Sequence, residues 1–205
     1  MRLAAIACRV FTRELSAAVA KCAHPVEVSW LPQGLHDTPD LLRARINATI
    51  DAIERVDAEA PARRRLDAIV LCYGLCGGGL DGVRAGRLPL VVPRADDCIG
   101  ILLGSQKRYL DYLAARAGIY WYTPGWIEYA DTPSRVYYDA KLRDYTARFG
   151  AENAQWLLEQ ENTWIGAYES GIYIAPPACP SGAFEAFAQD AARMYGWRYE
   201  SVLGS

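Results

Sequence analysis

"LDAIVLCYGLCGGGLDG", residues 66–82, joins a short apolar, β-branched run to two cysteines, Cys72 and Cys76, and three consecutive glycines. A run of that length with charge before it and glycine after it reads as a buried strand over 67–73 whose carboxyl end opens into a turn. Working outward, runs of the same kind recur at 2–8, 26–31, 88–94 and 118–123. Helical spacing fills the intervals at 12–23, at 38–58, where Thr38 precedes Pro39 at the first helical position, and at 97–118, which starts at Asp97. Strands alternating with helices point to βαβ units and a mostly parallel sheet. Beyond Tyr122 the pattern loosens into a turn-rich aromatic loop over 123–134, helices near 133–149, 151–165 and 183–195, a short strand at 171–176 and a last strand at 198–202. The expected architecture is an α/β, three-layer Rossmann-like sandwich with a helical C-terminal third. It forms a single domain over 1–205, with a core at 1–126 and a helical, lid-like portion at 127–205.

The chain has 205 residues, enough to bury one sizeable core, and carries a formal net charge of -2. That balance lacks the basic excess on which nucleic-acid affinity rests, so nucleic acid is not an expected partner. The apolar run before Arg9 is too short for a signal peptide, and no stretch approaches the roughly 18 apolar residues of a membrane span. A cytoplasmic protein is expected. In that reducing setting the six cysteines read as buried thiols, metal ligands or catalytic groups rather than as disulfides.

Position singles out some of them. Cys8 ends the first strand, His36 lies in the turn after the second, Cys72 and Cys76 close the third, and Cys98 follows the fourth. In an open parallel sheet all carboxyl ends share one edge, and ligands bind there, where the strand order reverses. Thiolates and an imidazole converging on one cleft suit zinc or an iron–sulfur cluster, with Cys8, Cys72, Cys76, Cys98 and His36 as the donor set. The spacing itself is weak: there is one Cys-x3-Cys and no paired Cys-x2-Cys, and Gly79 stands where a radical-SAM motif needs its third cysteine. Cys22 reads as a buried helical thiol, His24 as an ordinary loop residue, and Cys179, set between prolines, fits core and cleft equally.

Gly77, Gly79 and Gly82 match G-x-G-x-x-G after a strand. The segment before the strand at Leu88 is too short for the helix that a dinucleotide fold needs there. Gly77, Gly78 and Gly79 are better read as letting backbone amides approach a small-molecule ligand, or as a mobile turn. Arg94 and Asp96 adjoin them as further cofactor contacts, and Asp97 reads as the N-cap of the helix that carries Cys98. The aromatic stretch over 120–129 fits a stacking platform, a core edge, or the interface of a homo-oligomer.

"LPQGLHDTPDLLR", "IVLCYGLCGGGLDGVRAGRLPLVVPRADDCIGILLGSQKRY" and "YWYTPGW" together resemble the domain-of-unknown-function family 1638, over roughly residues 1–170. The resemblance implies a setting rather than an activity. Such genes are often found beside corrinoid proteins and methyltransferases of one-carbon metabolism, which makes either a candidate partner. Relatives often carry histidine where this chain has Asp96, so an imidazole is missing from the site here.

Two functions are then expected, beside a third reading as a small-molecule sensor or subunit whose cysteines are structural. In the first the protein binds a metal or an iron–sulfur cluster and assists corrinoid-dependent or related methyl transfer. In the second it is a metal-free enzyme acting on small acids or thioesters, with Cys76 or Cys98 as nucleophile, His36 as base and the glycine-loop amides holding an oxyanion.

Overall fold

In the computed structural model, which describes residues 1–205, the chain divides into two compact units, Met1–Tyr109 with Ser205, and Leu110–Gly204. Each has its own parallel sheet, which makes the protein α/β throughout.

The first unit holds β1 (Leu3–Cys8), α1 (Thr12–Lys21), β2 (Val26–Leu31), α2 (Pro39–Glu59), β3 (Ala68–Cys72), β4 (Leu90–Val91), α3 (Cys98–Leu102) and the start of α4 (Gln106–Ala115). Its sheet runs β2-β1-β3-β4, every pair parallel. The β1 strand is nearly all alanine and isoleucine and is buried along its length, as a central strand covered on both faces must be. Leu42, Ile46 and Ile50 recur every fourth residue on α2 and form its fully buried stripe against the sheet. Pro39 starts α2 as expected, but the Thr38 side chain makes no capping bond; its carbonyl accepts from Leu41 and Leu42 N–H instead. At the far end of α2 the buried Asp57 accepts from Leu66 N–H at 2.6 Å and pairs with Arg87, tying the helix to the chain on either side of β3.

Two local expectations change here. The strand expected over 88–94 shrinks to the two residues of β4, since Pro89 and Pro93 flank them and cannot donate to a ladder. The helix expected over 97–118 is two helices, because Gly104 takes φ +70° and turns the chain.

The second unit comprises β5 (Ile119–Tyr122), α5 (Pro124–Tyr129), α6 (Arg135–Phe149), α7 (Ala151–Glu161), β6 (Ser170–Ala175), α8 (Gly182–Tyr195) and β7 (Arg198–Leu203). Its sheet runs β5-β6-β7, so β5, placed by its sequence with the N-terminal strands, pairs with β6 instead. The segment read as an aromatic loop begins with α5, whose cap is the Thr123 hydroxyl accepting from Trp126 N–H at 3.1 Å. Small residues on α8, Ala188, Ala191 and Ala192, are buried where the helix lies on β6 and β7. No helix is long and apolar enough to cross a membrane.

Candidate functional site

The order β2-β1-β3-β4 places the reversal of direction between β1 and β3: the chain leaves β1 toward β2, then crosses back to β3 on the other side. Loops from those two neighbours therefore diverge, and the crevice between them at the carboxyl edge is where ligands of such sheets bind. Cys8 ends β1 and Cys72 ends β3, with Ala7 paired to Cys72 in register. Side chains alternate along a strand, so Cys8 shares a face with Ile6 and Leu71, while Cys72 goes with Ala7 on the opposite face. Cys72 thus reaches the expected edge but turns away from Cys8.

Cys76 is the thiol brought toward Cys8. It is the one non-glycine residue with positive φ, +47°, and is followed by Gly77 at +62° and Gly78 at +89°. Two backbone bonds hold it against the loop after β4: Leu75 N–H donates to Ala95 O at 2.9 Å, and Cys76 N–H to Asp96 O at 2.8 Å. Gly74 makes that approach feasible, since a Cβ there would lie 2.6 Å from the Asp97 backbone. Gly77 faces open space, as a ligand-approaching glycine should, whereas at Gly79 a Cβ would collide with Leu42 of α2, so Gly79 serves packing.

Burial pushes the thiols up. Cys8 is raised chiefly by desolvation, Cys72 rises to about 11 for the same reason, and Cys76 rises to about 11 through burial first and then the neighbouring charges of Cys8 and Asp97. Tyr73, next to Cys72, is 3% exposed, and its hydroxyl is buried without a hydrogen-bond partner.

Asp97 is the N-cap of α3, as expected. One carboxylate oxygen accepts from Ile99 N–H at 2.9 Å and Gly100 N–H at 3.2 Å, and the other accepts from the Tyr109 hydroxyl at 2.8 Å. Asp96, read as a cofactor contact, is taken up by Gln106, whose amide donates to its carboxylate at 2.6 Å and accepts from its backbone N–H at 3.0 Å. Had α3 and α4 been one straight helix, Tyr109 would lie about 18 Å along the axis from Asp97. The bend at Gly104 is what closes that gap, and neither Gln106 nor Tyr109 stands out in the sequence.

The remaining candidates sit on or near the same edge with looser ties. Cys98, half-buried, is the first residue of α3. His36 lies in a short 3-10 turn after β2, its ring 3.4 Å from the Asp37 carboxylate and about a third exposed (35%). Arg94 is exposed. No three histidine, cysteine, aspartate or glutamate side chains stand together as a ready metal-binding set. Cys22 is exposed at the end of α1 rather than buried, because α1 contributes no residue to the core. Cys179 belongs to the second unit, in the loop after β6.

Tyr120, Trp121 and Tyr122 of the aromatic stretch pack into the second unit. Tyr120 stacks on Trp197 at 5.8 Å and meets Tyr168 edge-on at 5.3 Å; Trp121 meets Tyr112 edge-on at 5.4 Å; and the Tyr122 hydroxyl donates to Pro133 O at 2.8 Å.

No curated protein and no solved structure matches the chain. A family model does, over residues 30–205, a span that takes in His36, Cys72, Cys76 and Cys98 and leaves Cys8 ahead of it. The chain belongs to that family, DUF1638, described as a protein of unknown function.

Proposed function

We propose that the protein is a thiol-based metal or iron–sulfur binding protein, accessory to corrinoid-dependent or related one-carbon methyl transfer, with its site at the carboxyl edge between β1 and β3. The observation that supports it most is that Cys76 lies within the electrostatic reach of Cys8 at the strand-order reversal and is held in a left-handed backbone, with two bonds to the neighbouring loop. Two thiolates make half of a tetrahedral shell. Cys98 and His36 are the donors on adjoining loops that binding would draw in, because no set of three is assembled beforehand. Burial raises both thiols, so binding a metal releases protons and tightens as pH rises. Exposed Leu75, Val91 and Val92 rim this edge and offer an apolar contact to a partner protein, for which the family setting suggests a corrinoid protein or methyltransferase.

The nucleophile reading has less behind it. An activated cysteine is lowered in pKa by nearby cations or a metal, and Cys76 is moved the other way.

The test is metal and sulfide analysis with a visible spectrum on protein purified without oxygen, and after reconstitution. Iron with sulfide and a broad visible band marks a cluster; stoichiometric metal on a colourless protein marks zinc. Cys8→Ser and Cys76→Ser are expected to lose the metal while Cys22→Ser keeps it. Unchanged metal content in both site variants, or none bound by the parent protein, overturns the proposal.

A further inference from the structure

An outer strand left open offers unpaired N–H and C=O groups to any chain that can align with it. Of the outer strands, β4, β5 and β7 are each closed off. β4 has only Leu90 and Val91, flanked by Pro89 and Pro93. In β5 the residues whose backbone faces outward, Ile119 and Trp121, are buried. β7 carries Arg198 and Glu200, and its outward Leu203 already has a partner within the chain. β2, with the sequence VEVSWL, has no proline and no lysine, and its one charge, Glu27, is paired with Arg2 at 3.1 Å.

The free groups of β2 follow from its pairing. Leu3 N–H donates to Pro25 O at 2.9 Å and Leu3 is in register with Val26, so Glu27, Ser29 and Leu31 turn their backbone groups toward β1. The N–H and C=O of Val26, Val28 and Trp30 therefore point outward, and no other hydrogen bond of the chain reaches them. Beside this edge Glu27, Val28 and Ser29 line an open groove of about 760 Å3, whose other wall is the flank of α2 with Ala52, Ile53 and Val56. Val56 is 71% exposed.

We propose that β2 is a dimerisation edge, pairing antiparallel with β2 of a second copy of the chain about a twofold axis at Val28. In that register Val28 meets Val28 and Val26 meets Trp30, so every outward N–H faces an outward C=O. A shifted register leaves Val26 or Trp30 beyond the end of the neighbouring strand. On one face, β-branched and aromatic side chains stand opposite each other, a favourable cross-strand pairing. On the other, Glu27 meets Ser29, so no like charges stand directly opposite. The strand is thus complementary to itself in hydrogen bonding and in charge, as a twofold contact requires. Joining the sheets also brings the two grooves side by side and covers apolar surface that a lone copy leaves to water.

The test is sedimentation equilibrium of the full chain and its variants, with the parent expected to be a dimer. Val28→Pro removes an outward N–H and leaves the ladder to β1 intact, since proline is tolerated on the open side of an outer strand. It is expected to be a monomer with the far-UV spectrum of the parent. Ser29→Glu sets a carboxylate directly opposite Glu27 on both sides of the axis and should raise the dimer dissociation constant about tenfold. Exchanging the residues, Glu27→Ser together with Ser29→Glu, restores a serine opposite each carboxylate and should return the affinity of the parent. A monomeric parent, even one that binds an extended peptide of another protein, overturns the proposal. So does a dimer whose affinity none of these variants changes, because its contact lies elsewhere. If Val28→Pro does not fold, Ser29→Glu and the exchange decide: weakening without recovery refutes the register and the axis at Val28.

Discussion

Gly74→Ala probes the joint on which the site depends. The added methyl would lie 2.6 Å from both Asp97 N and Asp97 Cα, and 2.9 Å from Ala95 O, all backbone atoms that no rotamer change can move. The loop after β3 must therefore withdraw from the loop after β4. That costs about 1–3 kcal/mol for the forced backbone shift. It also breaks the bonds from Leu75 N–H to Ala95 O and from Cys76 N–H to Asp96 O, at about 1 kcal/mol each. Together these come to about 3–5 kcal/mol, or roughly 10 °C in a chain of this size. Gly77→Ala is the control: nothing lies within 4 Å of its added methyl, so only the positive φ of +62° is penalised, by about 1 kcal/mol. Thermal melts and urea titrations of both variants read the difference. If Gly74→Ala fell by no more than Gly77→Ala, the two loops would not be anchored at this point, and the placement of Cys76 would need another explanation.

Cys76→Gly is expected to be more stable than Cys76→Ala by about 1 kcal/mol, since glycine adopts the +47° backbone without strain; equal urea midpoints would show that the left-handed geometry is not held in solution. Stability should also fall in alkali. Burial raises the Cys72 and Cys76 thiols from 9.0 to about 11, so the unfolded chain loses protons that the folded one keeps. The contribution is complete below the unfolded value and disappears as pH climbs from about 9 to about 11. Urea midpoints across that range should drop for the parent and drop less for Cys72→Ala; identical slopes would refute the burial argument.

Much of the fold could be read from local pattern. Strand ends at Cys8 and Cys72 followed from run length and flanking residues, and Asp97 as a cap from its place before a helix. What escaped was nonlocal. Strand phase relative to a neighbour is set by register, and register places Cys72 on the face opposite Cys8. The pairing of 74–76 with 95–97 joins segments whose separate sequences give no hint of each other. The helical pattern runs on through Gly104, and only the return of Gln106 and Tyr109 to Asp96 and Asp97 shows why the helix must break. β5 carries a strand pattern equally suited to either sheet, and its partner, β6, lies about fifty residues further along the chain.

Cys76 joins fold and site most directly. The chain makes three successive left-handed turns at residues 76–78 and uses glycine at the last two, where that backbone is easy. At the first it carries a β-carbon and a sulfur. If the turn were only a connection between β3 and the segment leading to β4, glycine at 76 would serve it with less strain. The cysteine there stands for a use of its sulfur, aimed by a backbone that is fixed from outside by Asp96 and backed by Gly74. Strain that is retained where a cheaper residue fits the same conformation points to function in the side chain rather than in the turn. The same holds for Tyr73, where phenylalanine would fill the space without leaving a donor unmet. Cys76 and Tyr73 belong to one loop on the side of β3 next to β1, so each side chain that a plainer residue could replace there stands near Cys8.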